Sequence, residues 1–83
     1  MSYDVLSIIE KFFENGKFLI LHENGRCSYL LKENVAKISH FNEGNSKGKL
    51  EFQFLAGGGA KYLEKDTYSL ELDSKNNLIC RIL

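Results

Sequence analysis

The chain has no proline and only two cysteines in 83 residues. Without proline, no strand-forming segment is demoted to a sheet edge on that ground. The cysteines, Cys27 and Cys80, stand far apart and form no C-x-x-C pair. The close spacing that marks zinc and redox motifs is therefore absent, and a reducing compartment is the simpler setting. A charge excess of either sign is also missing: eleven Lys and Arg balance eleven Asp and Glu, and the pI is 6.7. Nothing in that balance draws the protein toward nucleic acid or anionic lipid. No stretch approaches the roughly 18 apolar residues of a membrane span, and Glu10 and Lys11 arrive before any run of signal-peptide length. A cytoplasmic protein that does not bind membrane is expected.

Apolar residues make up 43% and aromatics 12%, enough for a packed core and too many for disorder. At this length the chain has room for one core, so residues 1–83 are read as a single domain that buries roughly 60 to 65% of its surface on folding.

Between Tyr3 and Glu14 the residues Val5, Ile8, Ile9, Phe12 and Phe13 recur at spacings of three and four, which places them on one face of an α-helix. Ser2 can cap its start, and Asn15-Gly16 supplies a stop in which Gly16 is expected to take the left-handed conformation. Asn24-Gly25 then marks a two-residue type I′ hairpin between Lys17–Glu23 and Arg26–Leu31. The register follows: Glu23 faces Arg26, His22 faces Cys27, Ile20 faces Tyr29 and Phe18 faces Leu31.

Val35 to Phe41 reads as a third strand, followed by a polar loop over residues 42–48. Lys49 to Leu55 alternates, with Leu50, Phe52 and Phe54 on one side. Ala56-Gly57-Gly58-Gly59-Ala60 follows. Lys61 to Asp66 is ambiguous between a short strand and a helical turn. Tyr68–Leu72 and Leu78–Leu83 close the count at five or six strands. Short connections favour antiparallel pairing. The fold expected is α+β: an N-terminal amphipathic helix on a twisted antiparallel sheet, or that sheet rolled into a partly closed barrel. An N-terminal helix before five strands is also the layout of Sm-like barrels, an analogy of fold that no residue motif carries.

Four signals bear on chemistry. The hairpin register brings His22 beside Cys27, and an imidazole next to a thiol can make the thiol nucleophilic; against that, a cysteine is more often a small buried hydrophobe. His22, Cys27, His40 and Cys80 are zinc-ligand types without the close pairs that anchor zinc sites. Gly57-Gly58-Gly59 after a strand could offer backbone N–H groups to a phosphate, but no Gly-Lys-Ser/Thr or G-x-G-x-x-G accompanies it. Lys47 to Phe54 superficially resembles the RNP1 strand of RNA-recognition domains, yet Lys49 and Glu51 occupy the base-stacking positions. No cofactor, metal or nucleic acid is indicated.

Phe18-Leu19-Ile20-Leu21 is apolar on both sides of its strand, and one helix covers only one face of a sheet. The expected function is accordingly a non-enzymatic interaction module, either a homodimer or a regulator that binds another protein. Its interface is expected at Leu19, Leu21, Leu30 and Leu55, opposite a core face bearing Phe18, Ile20, Phe52 and Phe54. The alternatives are a roll or barrel around a small ligand, with the glycine loop near its mouth, and an enzyme using Cys27 with His22.

Overall fold

The computed structural model describes residues 4–55 and 59–83. The periodic N-terminal segment forms α1 (Val5–Asn15) and buries Ile8, Ile9 and Phe12. Its cap is Asp4, whose Oδ1 accepts the Ser7 backbone N–H at 2.8 Å; Ser2, the expected cap, lies outside the described residues. That hydrogen bond holds the Asp4 carboxyl below its ordinary range.

Gly16 ends the helix differently from expectation. Its φ is −79° and its N–H donates to the Phe12 carbonyl, so no left-handed residue is involved. Glycine is needed for room. A Cβ at position 16 would lie 2.3 Å from the Asn76 carbonyl oxygen and 2.7 Å from the Phe12 ring.

The strands are β1 (Phe18–Glu23), β2 (Arg26–Leu31), β3 (Val35–His40), β4 (Leu50–Phe54), β5 (Ala60–Leu63), β6 (Tyr68–Leu72) and β7 (Leu78–Ile82). These seven among the described residues exceed the expected five or six. The ambiguous segment at 61–66 resolves as β5 followed by a turn in which the Thr67 hydroxyl donates to the Glu64 carbonyl and Asp66 has φ of 65°. Asn24 and Gly25 carry positive φ (52° and 76°), and the β1–β2 register is the one their turn dictates, Phe18 opposite Leu31 through Glu23 opposite Arg26.

The strands divide into a four-stranded sheet, β2-β1-β7-β6, and a three-stranded sheet, β3-β4-β5, that are not closed into a barrel. One pairing departs from the antiparallel expectation: β1 runs parallel to β7, with Leu19 opposite Leu78 and Leu21 opposite Cys80. Short connections constrain only neighbours in sequence, and these two strands are not neighbours.

One core lies between the sheets and under α1. Leu19, Leu78 and Cys80 from the first sheet meet Val35, Ile38, Leu50, Phe52 and Leu63 from the second, with Ile8, Ile9 and Phe12 from the helix. The facing expected for β1 is thereby reversed. Leu19 is fully buried, whereas Phe18 is on the far side and 37% exposed. When both sides of a strand are apolar, alternation alone does not say which one is inside. The second sheet supplies the cover that one helix could not. No helix among the described residues is long and apolar enough to cross a membrane.

Candidate functional site

The outer faces of the two sheets differ. On β3-β4-β5 the outward positions include Lys37, Lys49, Glu51, Gln53 and Tyr62, and Lys49 stacks its ammonium 4.7 Å from the Tyr62 ring centre. This is a face adapted to water. On β2-β1-β7 the register places Phe18, Ile20, Tyr29, Leu31 and Ile79 together on the outside, with Tyr29 68% and Leu31 43% exposed. The apolar face gives way to Ser69, Arg81 and Glu71 toward β6, where Arg81 and Glu71 form an ion pair.

The edge beside this face is β2. A two-residue turn makes Glu23–Arg26, Leu21–Ser28 and Leu19–Leu30 the closely bonded pairs, so Cys27, Tyr29 and Leu31 direct their backbone N–H and C=O groups away from β1. Edge strands are ordinarily defended by charged side chains. Here the flanking charges are turned elsewhere. Lys32 donates from Nζ to the Phe13 carbonyl at the helix end, 2.9 Å away, and Arg26 belongs to the inner side of the hairpin.

The residues expected at an interface do not form one open face. Leu19 is fully buried, Leu21 and Leu30 are half-buried on the inner side, and Leu55 stands 66% exposed just beyond β4. The exposed apolar face is built from the opposite side of the same strands. The sequence signal for it was the uninterrupted run at Phe18–Leu21, which identifies both sides at once.

His22 and Cys27 do meet, with Nε2 3.8 Å from Sγ, at the end of this outer face. The Cys27 side chain next along the same face, through hydrogen bonding and then through charge, pushes the Tyr29 phenol above its ordinary value. Across β7 the register neighbour of His22 is Arg81. A cation there is the opposite of the carboxylate that orients the imidazole in nucleophilic pairs. The four zinc-ligand types are dispersed: Cys80 is buried on the inner side of the sheet, His40 is on β3 in the other sheet, and the described residues hold no cluster of three or more metal-ligating side chains. Gly57 and Gly58 of the glycine run lie outside the described residues, and Gly59 precedes β5.

A cleft opens between the sheets at the tip of the β1–β2 hairpin. It measures about 610 Å³ and is lined by Leu21, Glu23, Asn24, Arg26, Ser28 and Lys61. Lys61 Nζ reaches across from β5 to within 3.5 Å of Glu23 Oε1.

Comparison with known proteins gives no matching family, no matching characterised protein and no matching solved structure.

Proposed function

We propose that this protein is a non-enzymatic interaction module that self-associates through β2, pairing the edge of one copy antiparallel with the same edge of a second. The observation that supports the reading is the undefended edge: Cys27, Tyr29 and Leu31 offer backbone groups that have no partner among the described residues beside an apolar outer face, while Lys32 and Arg26 are directed away from it. A two-fold axis at Tyr29 would set Cys27 of each copy opposite Leu31 of the other. All three residues would then exchange backbone hydrogen bonds, and the two outer faces would join into one larger sheet. Such pairing satisfies the edge and places Tyr29, the most exposed aromatic of the face, at the centre of the contact.

Sedimentation equilibrium of the wild type and of Tyr29→Lys tests the proposal. The wild type is expected to sediment as a dimer. Tyr29→Lys is expected to sediment as a folded monomer with an unchanged far-ultraviolet circular dichroism spectrum, because it places two charges against each other only in the assembly. A wild type that remains monomeric up to its solubility limit would overturn the reading.

A further inference from the structure

The cleft at the hairpin tip is built from positions where the strand pattern calls for core residues. On β5, Lys61 lies opposite Phe52 and Leu63 lies opposite Leu50. Phe52, Leu50 and Leu63 are all buried in the core, so Lys61 shares the inward side with them. On the facing sheet, Leu19 and Leu78 define the inner side, and alternation carries that side along to Leu21, Glu23, Ser28 and Arg26. The inner surfaces of both sheets thus change from apolar to polar at one end of the molecule. The polar side chains there face one another across a cavity of the size that accommodates small ligands.

The charges in this space do not cancel. Glu23 is engaged by Lys61, and Arg26 forms no ion pair among the described residues, which leaves the cleft with one cation in excess. The Ser28 hydroxyl and the Asn24 amide line the same space and make no side-chain hydrogen bond among the described residues. A guanidinium, an ammonium, a hydroxyl and an amide converging from two sheets form a donor-rich set suited to a planar or tetrahedral oxyanion.

We propose that this cleft binds a small molecule through a phosphate or carboxylate group, with Arg26 and Lys61 as the principal contacts and Ser28 and Asn24 as additional donors. Leu21 supplies an apolar wall for the body of the ligand. Glu23 pairs with Lys61 and competes with the ligand for it.

An inward lysine on an edge strand has a competing explanation, since such charges also guard edges against aggregation. Titration of the isotopically labelled full chain with sodium phosphate, and separately with sodium acetate, separates the two by amide chemical shifts at ionic strength held constant with sodium chloride. Binding predicts saturating shifts at Asn24, Arg26, Ser28 and Lys61, and the arm that saturates at lower concentration names the anion class. The apparent affinity should fall about tenfold or more in Arg26→Gln and Lys61→Gln, as loss of a charge-assisted hydrogen bond does. It should rise in Glu23→Gln, which frees Lys61. Shifts that fail to saturate, or that are reproduced by chloride alone, would overturn the proposal. So would a Lys61→Gln protein that aggregates more readily while its anion response stays at the wild-type level, since Lys61 would then be an edge guard.

Discussion

The side-chain carbonyl of Asn77 accepts the backbone N–H of Phe18 at 3.0 Å, and that of Lys17 at 2.9 Å, tying the entry of β1 to the turn before β7. Asn77 is itself held by Asp73, whose carboxylate accepts the Asn77 backbone N–H at 2.9 Å and its side-chain amide at 3.0 Å. One residue therefore sets the end from which the parallel β1–β7 pair begins, next to the close approach of Gly16 to Asn76.

Asn77→Ala removes the side-chain bonds to Lys17, Phe18 and Asp73, keeps the backbone N–H bond to Asp73, and leaves two backbone donors without their partner. It is expected to cost about 1 to 3 kcal/mol, measured as a lower urea midpoint at unchanged slope. Asn77→Asp keeps an acceptor but sets a second carboxylate beside Asp73, so its loss should shrink as the pH is lowered toward the carboxylate range. Equal midpoints for wild type and both variants would show that the junction is held by strand pairing alone.

Gly25 and Gly16 are required for different reasons, and two substitutions separate them. Gly25→Val is disfavoured by its φ of 76° although, its chain neighbours aside, no atom of the described residues lies within 4 Å of where the Cβ would be. The strain should cost more than about 1 kcal/mol. Gly16→Ala is tolerated by the backbone but collides with the Asn76 carbonyl. It should shift the amide resonances of residues 73–77 as well as those of the helix end, whereas Gly25→Val should perturb the hairpin only.

Alkaline pH should unfold the protein through buried Cys80 and half-buried Tyr68. Burial pushes the Cys80 thiol up to about 12, and burial likewise raises the Tyr68 phenol, whose hydroxyl donates to the Gly48 carbonyl at 2.7 Å. For Cys80 the folded value lies above the unfolded one, near 8.5 to 9. Its contribution is complete below that unfolded value and is lost as pH rises toward about 12. Stability measured across this range should fall less steeply in Cys80→Ala, although that variant starts lower because a cavity remains. At neutral pH, iodoacetamide should label exposed Cys27 at an ordinary thiol rate that His22→Ala does not slow, and should reach Cys80 only after unfolding. An identical alkaline slope in Cys80→Ala would sink the assignment.

Local chemistry determined by the sequence includes α1, whose seam of Ile8, Ile9 and Phe12 follows from helical spacing, and the β1–β2 register, which follows from the positive φ that Asn24-Gly25 accepts. The strands at Leu50–Phe54, Tyr68–Leu72 and Leu78–Ile82 were legible for the same reason: their patterns involve only neighbours in the chain. Tertiary structure decided what depends on distant partners. The division into two sheets, the parallel β1–β7 pair and the burial of Leu19 rather than Phe18 all arise where segments far apart in sequence meet. The candidate sites divide in the same way. His22 beside Cys27 was readable because a two-residue turn joins their strands. The cleft was not, because Lys61 meets Glu23, and shares a cavity with Arg26, only when β5 of one sheet packs across from the hairpin of the other.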